Sequence, residues 1–440
     1  MGLRCQGVGS SRRCAWMLYG RLPDCLVGAC RHTALSLWKK EGDGMRRRIR
    51  LAALLCAVLL LFLHGCVPAA QETQMIPSRL ALEISEIEST VRTPELRADG
   101  KPYRMLIVAI SFDATVSVAD CYLRELKQSG WILENPLEDG QAVRYDGLFD
   151  GCDLGPYLEV CGGKIYDIAA DGQQAVNQAI QEHVDAGEAD VILALGTEAA
   201  QLGKQCARGR VPLIAFPLAD AVGSGIVKGE QYSGIPNVWA HTDPERYQRQ
   251  LVLYHDLIPF KKLGLIYYDE GLGGRTGYLK AAAQMGIELV ERRIDPPPMS
   301  DSADSEAALA AYWDSLEAAC DNLLEQESID AFMLTTQIVR PQERAKSFIQ
   351  RFHDAGVPVF IQTGEPLVEA GGLIMQESLV DEEIGQLAAD VTARVLCGEQ
   401  PGNIMQPYTC TPYIVVNQRA ARALNIQLPF ELLISCEKIY

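Results

Sequence analysis

"ADVILALGTEAAQ", Ala189 to Gln201, is the stretch whose reading decides the fold. Val191 to Leu195 are five apolar residues in a row, Gly196 ends the run, and a helix-forming segment starts at about Glu198. A strand that is apolar at every position has no wet face, so it belongs in a parallel sheet covered by helices on both sides. The same order recurs outward in both directions. Upstream stand "RMLIVAIS" (104–111), the helical pattern "VADCYLRELKQSGW" (118–131), "KIYDIAA" (164–170) and a helix from Gln173 to Ala186; "VPLIAF" (211–216) follows downstream. Strands alternating with amphipathic helices define a doubly wound α/β unit.

The alternation pauses across the Gly- and Pro-rich stretch Pro217 to Thr242 and then resumes. A helix over Pro244–Leu257 leads to "KLGLIYYDE" (262–270), and one near Thr276–Met285 leads to "IELVERR" (287–293). Helices across Ala307–Glu325 and Gln342–Asp354 precede "DAFMLTT" (330–336) and "VPVFIQTG" (357–364). The second half repeats the rhythm of the first. The fold expected is α/β, two Rossmann-like lobes with parallel sheets flanked by helices, joined by a hinge across a cleft.

Ligands of open parallel sheets bind beyond the carboxyl ends of the strands, where loops and helix N-termini converge. Those ends are Ser111, Phe112 and Asp113, then Gly196, Thr197 and Glu198, then Pro217 to Asp220 in the first lobe. In the second they are Asp269 and Glu270, Thr335, Thr336 and Gln337, and Gln362, Thr363 and Gly364. Each of these residues alone is explained by capping or turn geometry; their recurrence at every strand end marks the cleft as a site for a small polar solute. Asp220, Asp113 and Glu270 are candidates for an ammonium group, amides near Thr197 and Thr336 for a carboxylate, and Phe112 or Trp239 for stacking or, alternatively, core packing.

"LFLHGCVPAA" (61–70) sets the location. Met45-Arg-Arg-Arg-Ile-Arg50 precedes a 13-residue apolar run, Leu51–Leu63, too short for a bilayer-spanning helix and of signal-peptide length. Leu63-His64-Gly65-Cys66 resembles a bacterial lipobox, so Cys66 is the expected lipidation site, with cleavage near Ala69–Ala70 as the alternative. Two acyl chains suffice for stable anchoring. Residues 1–44 are expected to be upstream read-through or a disordered leader, 45–65 the signal peptide and 66–101 a tether. The first lobe is expected over 102–219 with part of 364–378, the second over 220–363 with part of 379–400, and 401–440 packing across the lobes.

The chain carries a net charge of −17. Setting aside residues 1–65, which hold 11 Lys or Arg and 3 Asp or Glu, leaves 29 basic against 54 acidic residues, near −25. Such a surface repels nucleic acid. Eight cysteines follow Cys66, and Cys152 and Cys161 bracket a short loop as the expected local disulfide. No CxxC or HxxxH spacing supports zinc, and no cofactor is expected.

Enzyme signals are thin. "EGLGGRTG" (270–277) has Thr276 where G-x-G-x-x-G needs its third glycine, and "AVGSGI" (221–226) puts Ser224 in the wrong frame for a nucleophile elbow. After Cys66 the histidines are His183, His241, His255 and His353, and none stands with an acid and a nucleophile at suggestive spacing. The chain is read as a non-enzyme.

"ADVILALGTEAAQ", "VPLIAFPLADAVGSGIV", "SGIPNVWAHTDPERYQRQLVLYHDLIPFKKLGLIYYDE" and "YIVVNQRAARALNIQLPFELL" resemble, in that order, segments of the ABC transporter substrate-binding proteins of the tryptophan/tyrosine type. The tail is the most specific piece, through Asn417, Ala420, Leu424, Ile426 and Pro429. Gly196-Thr197 matches the family's Gly-Thr, and Ala219-Asp220-Ala221-Val222 its Thr-Asp-Pro-Val, with two alanines as departures. The resemblance implies a periplasmic-binding-protein type I-like fold. It also implies an exported, lipid-anchored receptor that closes on a small polar, amino-acid-like ligand and delivers it to an ABC permease. Presentation to a membrane sensor kinase and, below it, an exported hydrolase are the alternatives.

Overall fold

Strands form where the sequence places Val, Ile and Leu in unbroken runs, and each lies between amphipathic helices. The computed structural model describes residues 91–138, 145–268, 274–296, 303–335, 338–339 and 342–440, all within the unit Ser78–Tyr440. Cys66 and the leader, signal and most of the tether, as well as Asp269, Glu270, Thr336 and Gln337, lie outside the described residues. Among the described residues no helix is long and apolar enough to cross a membrane.

The first sheet comprises β1 (Tyr103–Ala109), β2 (Leu158–Asp167), β3 (Val191–Leu195), β4 (Leu213–Phe216) and β5 (Val238–Ala240) in the order β2-β1-β3-β4-β5. All its pairs are parallel, with Met105 opposite Val191 and Ile192 opposite Leu213. β3 is buried along its whole length, as an all-apolar central strand must be. Helices α1 (Phe112–Gln128), α2 (Gln173–Asp185) and α3 (Thr197–Ala207) connect these strands. On α2 Val176, Ile180 and Val184 recur at four-residue spacing and are buried, the stripe of an amphipathic helix against a sheet.

The chain then crosses to the second lobe. Helix α4 (Arg246–Leu257) precedes β6 (Lys262–Tyr267), α5 (Arg275–Met285), β7 (Glu288–Arg293), α6 (Ala303–Asp321), β8 (Ala331–Leu334), α7 (Ala345–Asp354), β9 (Val359–Ile361) and β10 (Ile374–Glu377). The second sheet has the order β12-β11-β10-β9-β8-β6-β7, completed by β11 (Tyr413–Val416) and β12 (Lys438–Ile439). One pair, β10 with β11, is antiparallel, where an all-parallel sheet was expected. After β10 the chain returns to the first lobe as α8 (Asp381–Leu396), which lies along α1 and joins its core through Ile384, Ala388 and Val391.

The lobes are therefore joined by three crossings, at about residues 241–245, 378–380 and 410–412. This corrects the expected boundaries. The first lobe runs on past residue 219 to β5, residues 374–377 belong to the second sheet, and residues 381–396 belong to the first lobe. The reason is packing: β10 pairs with β9 through Ile374 and Met375, whereas the apolar face of α8 is buried against α1. Residues 401–408 also lie on the first lobe, where Gly402 donates to Pro236 O and Thr242 pairs with Pro407.

Candidate functional site

A cavity of about 460 Å³ opens where the carboxyl ends of the strands of both lobes face each other. The first lobe contributes Ile110 after β1, Gly196, Thr197 and Glu198 after β3, and the loop Pro217–Ala219 after β4. Gly196 has φ +97°, and a Cβ there would stand 2.6 Å from Ile110 Cγ2. Only glycine lets the loop turn this tightly beside β1 and start α3 at the cavity wall.

The second lobe contributes Thr335 after β8 and Gln362 and Thr363 after β9, with Glu377, Ser378 and Leu379 entering from the second crossing. Helix α4 adds Arg246, Tyr247 and Gln250. Arg246 and Tyr247 reach across to the first lobe: Arg246 Nη2 donates to Leu218 O at 3.0 Å and Tyr247 Oη to Ala219 O at 2.8 Å. Gln250 Nε2 donates to Gln362 O at 2.8 Å and Oε1 accepts from Tyr278 Oη at 2.5 Å, fixing α4 against the strand ends. Thr363 Oγ1 donates to Glu377, while burial raises the Glu377 carboxyl above the usual range, opposed by that bond and by the Arg246 charge.

Three polar atoms of lining residues are buried without a partner: Arg246 Nε, Thr335 Oγ1 and Ser378 Oγ. Leaving a buried donor or acceptor unpaired costs about 1–3 kcal/mol, so these three atoms are open to a partner entering the cavity, water or ligand.

A smaller cavity of about 160 Å³ adjoins the first and shares Arg246 and Tyr247 with it. Asp220 lines this one, with its Oδ1 accepting the Gly223 N–H at 2.7 Å. His241 lies at the same wall, buried, with Nε2 donating to Tyr408 O at 3.0 Å. Burial first, and then the Arg246 charge, push its imidazole down to about 4. A histidine whose folded value lies below its unfolded one contributes stability that is full above the unfolded value near 6.5 and is lost as pH falls through 4. Unfolding of the wild type and His241→Gln in urea should therefore show a stability gap that shrinks by about 3 kcal/mol between pH 7 and pH 4. A gap independent of pH would mean that His241 does not stay neutral in the fold.

The strand-end residues expected from sequence separate into two groups. Gly196, Thr197, Glu198, Thr335, Gln362 and Thr363 come together at the larger cavity, with Asp220 beside it. Ser111, Phe112 and Asp113 do not line either cavity. Phe112 is buried, its N–H donating to Asp167 Oδ2 at 2.8 Å and its ring 6.4 Å from that of Tyr145; Ser111 precedes α1 as its N-cap. Trp239 is fully buried in the core. Arg246, Tyr247, Gln250, Glu377 and Ser378 escaped the strand-end reading. The available signal was Arg246 and Gln250 one turn apart on the face of α4 that also carries Tyr247 and Tyr254, since polar residues on a buried helix face need a reason.

The expected Cys152–Cys161 disulfide is not formed; all eight cysteines after Cys66 are free. Cys161 sits in β2 and faces the core under α2, its Sγ 3.3 Å from Glu188 O, whereas Cys152 in the preceding turn is directed at Glu134 O. Burial pushes the Cys161 thiol up to about 12, the state of an inert core thiol.

The family described as "ABC transporter substrate binding protein" matches residues 138–440. A tyrosine-binding protein of Clostridioides difficile is 24% identical over 270 residues, which is 59% of this chain and 72% of that protein. Among solved structures, a conserved domain protein of Vibrio cholerae O1 biovar El Tor has a TM-score of 0.54 at 20% identity, covering 77% of this chain and 100% of its own. An ABC domain of Streptococcus pneumoniae in complex with L-Trp has a TM-score of 0.53 at 17% identity, again with 77% and 100% covered. With a family match over most of its length and two doubly wound lobes facing each other across a polar cavity, the chain belongs to the ABC transporter substrate-binding protein family.

Proposed function

We propose that the protein is an extracytoplasmic receptor, anchored through a lipid on Cys66, that captures a small polar organic ligand in its interlobe cavity and delivers it to an ABC permease. The observation that carries this reading is the cavity of about 460 Å³ walled by both lobes, with unpartnered polar atoms among its lining residues. A ligand there touches both lobes and favours the state in which they face each other, which is how closure is coupled to binding. Gly196, Thr197 and Glu198 are proposed as first-lobe contacts, Thr335, Gln362 and Thr363 as second-lobe contacts, with Asp220 alongside; Asp269, Glu270, Thr336 and Gln337 stay candidates from sequence. No catalytic step is proposed.

The tyrosine-binding clostridial relative and the L-Trp complex direct the choice of ligand towards aromatic amino acids. A thermal-shift screen against amino acids, nucleosides and small organic acids tests it. A ligand at 100 times its dissociation constant should stabilise the protein by about 2.7 kcal/mol, with the largest shifts from tyrosine or tryptophan. A folded sample unmoved by the whole panel would overturn the reading.

A further inference from the structure

Arg246 is a positive charge buried in the cavity wall without a counter-ion. It is only 7% exposed, and no carboxylate among the described residues forms an ion pair with it. Its neighbour on the same helix, Arg249, is paired with Asp243. The other nearby acids have partners of their own: Asp220 holds the Gly223 N–H, and Glu377 accepts from Thr363 Oγ1. Of the guanidinium's donors, Nη2 bonds a neutral carbonyl and Nε has no partner. The guanidinium also lies over the Tyr247 ring, 5.7 Å from its centroid, which offsets part of the cost of burying its charge; an ion pair would offset more, and the partner that supplies one is an anion. A guanidinium presents donors in a planar fork that suits a carboxylate. A single cation, with Glu198 in the same wall, suits one negative charge better than a dianion such as a phosphate monoester.

We propose that Arg246 anchors a carboxylate of the ligand, so that the cavity selects monocarboxylate-bearing molecules and rejects their decarboxylated analogues. The inference rests on the receptor reading above and adds the anchoring group. The backbone amide of Thr197, read from sequence as the carboxylate site, becomes at most a second contact.

The test uses the purified protein, three probes and one variant. Calorimetry with L-tyrosine, 3-(4-hydroxyphenyl)propionate and tyramine should show that the wild type binds the two carboxylates and binds tyramine about 100-fold more weakly. Arg246→Met, which keeps the volume and removes the charge, should lose about 100-fold for both carboxylates and bring the three probes to within about threefold of one another. Without ligand, Arg246→Met should be as heat-stable as the wild type or more so, because an unpaired buried charge has been removed. Tyramine binding as tightly as tyrosine, or Arg246→Met retaining the preference, would overturn the anchor while leaving the receptor intact. A ligand-free variant much less stable than the wild type would show that the guanidinium serves the fold through Leu218, and would overturn it too. If no probe binds the wild type and the wider screen is also silent, the receptor reading fails and this inference with it.

Discussion

Replacing Trp239 with alanine is expected to lower the stability of the protein by about 4 kcal/mol, the upper range for emptying a large aromatic site in a core. The indole is fully buried in β5, lies in the core built by β1, β3, α1 and α8, and donates through Nε1 to Met405 O at 3.1 Å. Two losses add: the dispersion contacts of the ring, and a carbonyl left unpaired beside the third crossing. Trp239→Phe separates them, since it keeps most of the ring and gives up the hydrogen bond. It should cost about 1–2 kcal/mol and leave ligand affinity within threefold. Denaturant unfolding of both variants, followed by ligand titration of the phenylalanine form, checks the assignment. A phenylalanine variant of full stability and much weakened binding would instead make the indole a ligand contact.

Gly385→Val should cost about 3 kcal/mol, although glycine within a helix is ordinarily a weakness that substitution relieves. Gly385 is on the first turns of α8 where it crosses α1, and a Cβ there would sit 2.7 Å from Tyr122 N and 2.9 Å from Cys121 C. Those neighbours are backbone and cannot swing aside as a side-chain tip can. The two helices would have to part, and α8 begins at Asp381, only Val380 separating it from Ser378 and Leu379, which line the cavity. Loss of stability should therefore come with weaker ligand binding. Gly385→Ala provides the sign: propensity alone predicts a gain of about 1 kcal/mol, close approach predicts a loss, and thermal unfolding tells them apart.

How much of this was legible in the sequence depends on what each element contributes on its own. β3, β4, β8 and β9 announce themselves because a strand covered on both faces must be apolar throughout. β5 does not, since its three residues sit among glycines and prolines and become a strand only by pairing with β4. β10 carries Gln376 and Glu377 in a four-residue strand, and only its partners identify it. The crossings were misassigned for a related reason. The apolar face of α8 would suit either lobe, and the choice is made by a complementary surface on α1. At the cavity, the ends of β3, β8 and β9 were found because topology obliges them to point there. Arg246 was not, because its placement depends on how α4 is rotated about its own axis, a property of packing that chain order does not encode.

The third crossing has a consequence for the order in which the molecule is assembled. Tyr122 donates to Thr392 Oγ1 across 270 positions of chain, and Ile404, Tyr408 and Cys410 complete the core that Met105 and Ile107 begin. The second lobe in turn draws on Val415 and Leu432. Neither half can therefore be finished while the chain is still being synthesised, and contacts so far apart are slow to form because the loop between them must first be closed. A polypeptide emerging N-terminus first would leave both cores unfinished until residues 404–432 have followed. For a protein proposed to act outside the cytoplasm, cores closed only by late segments leave the earlier ones incompletely packed for as long as those segments are missing.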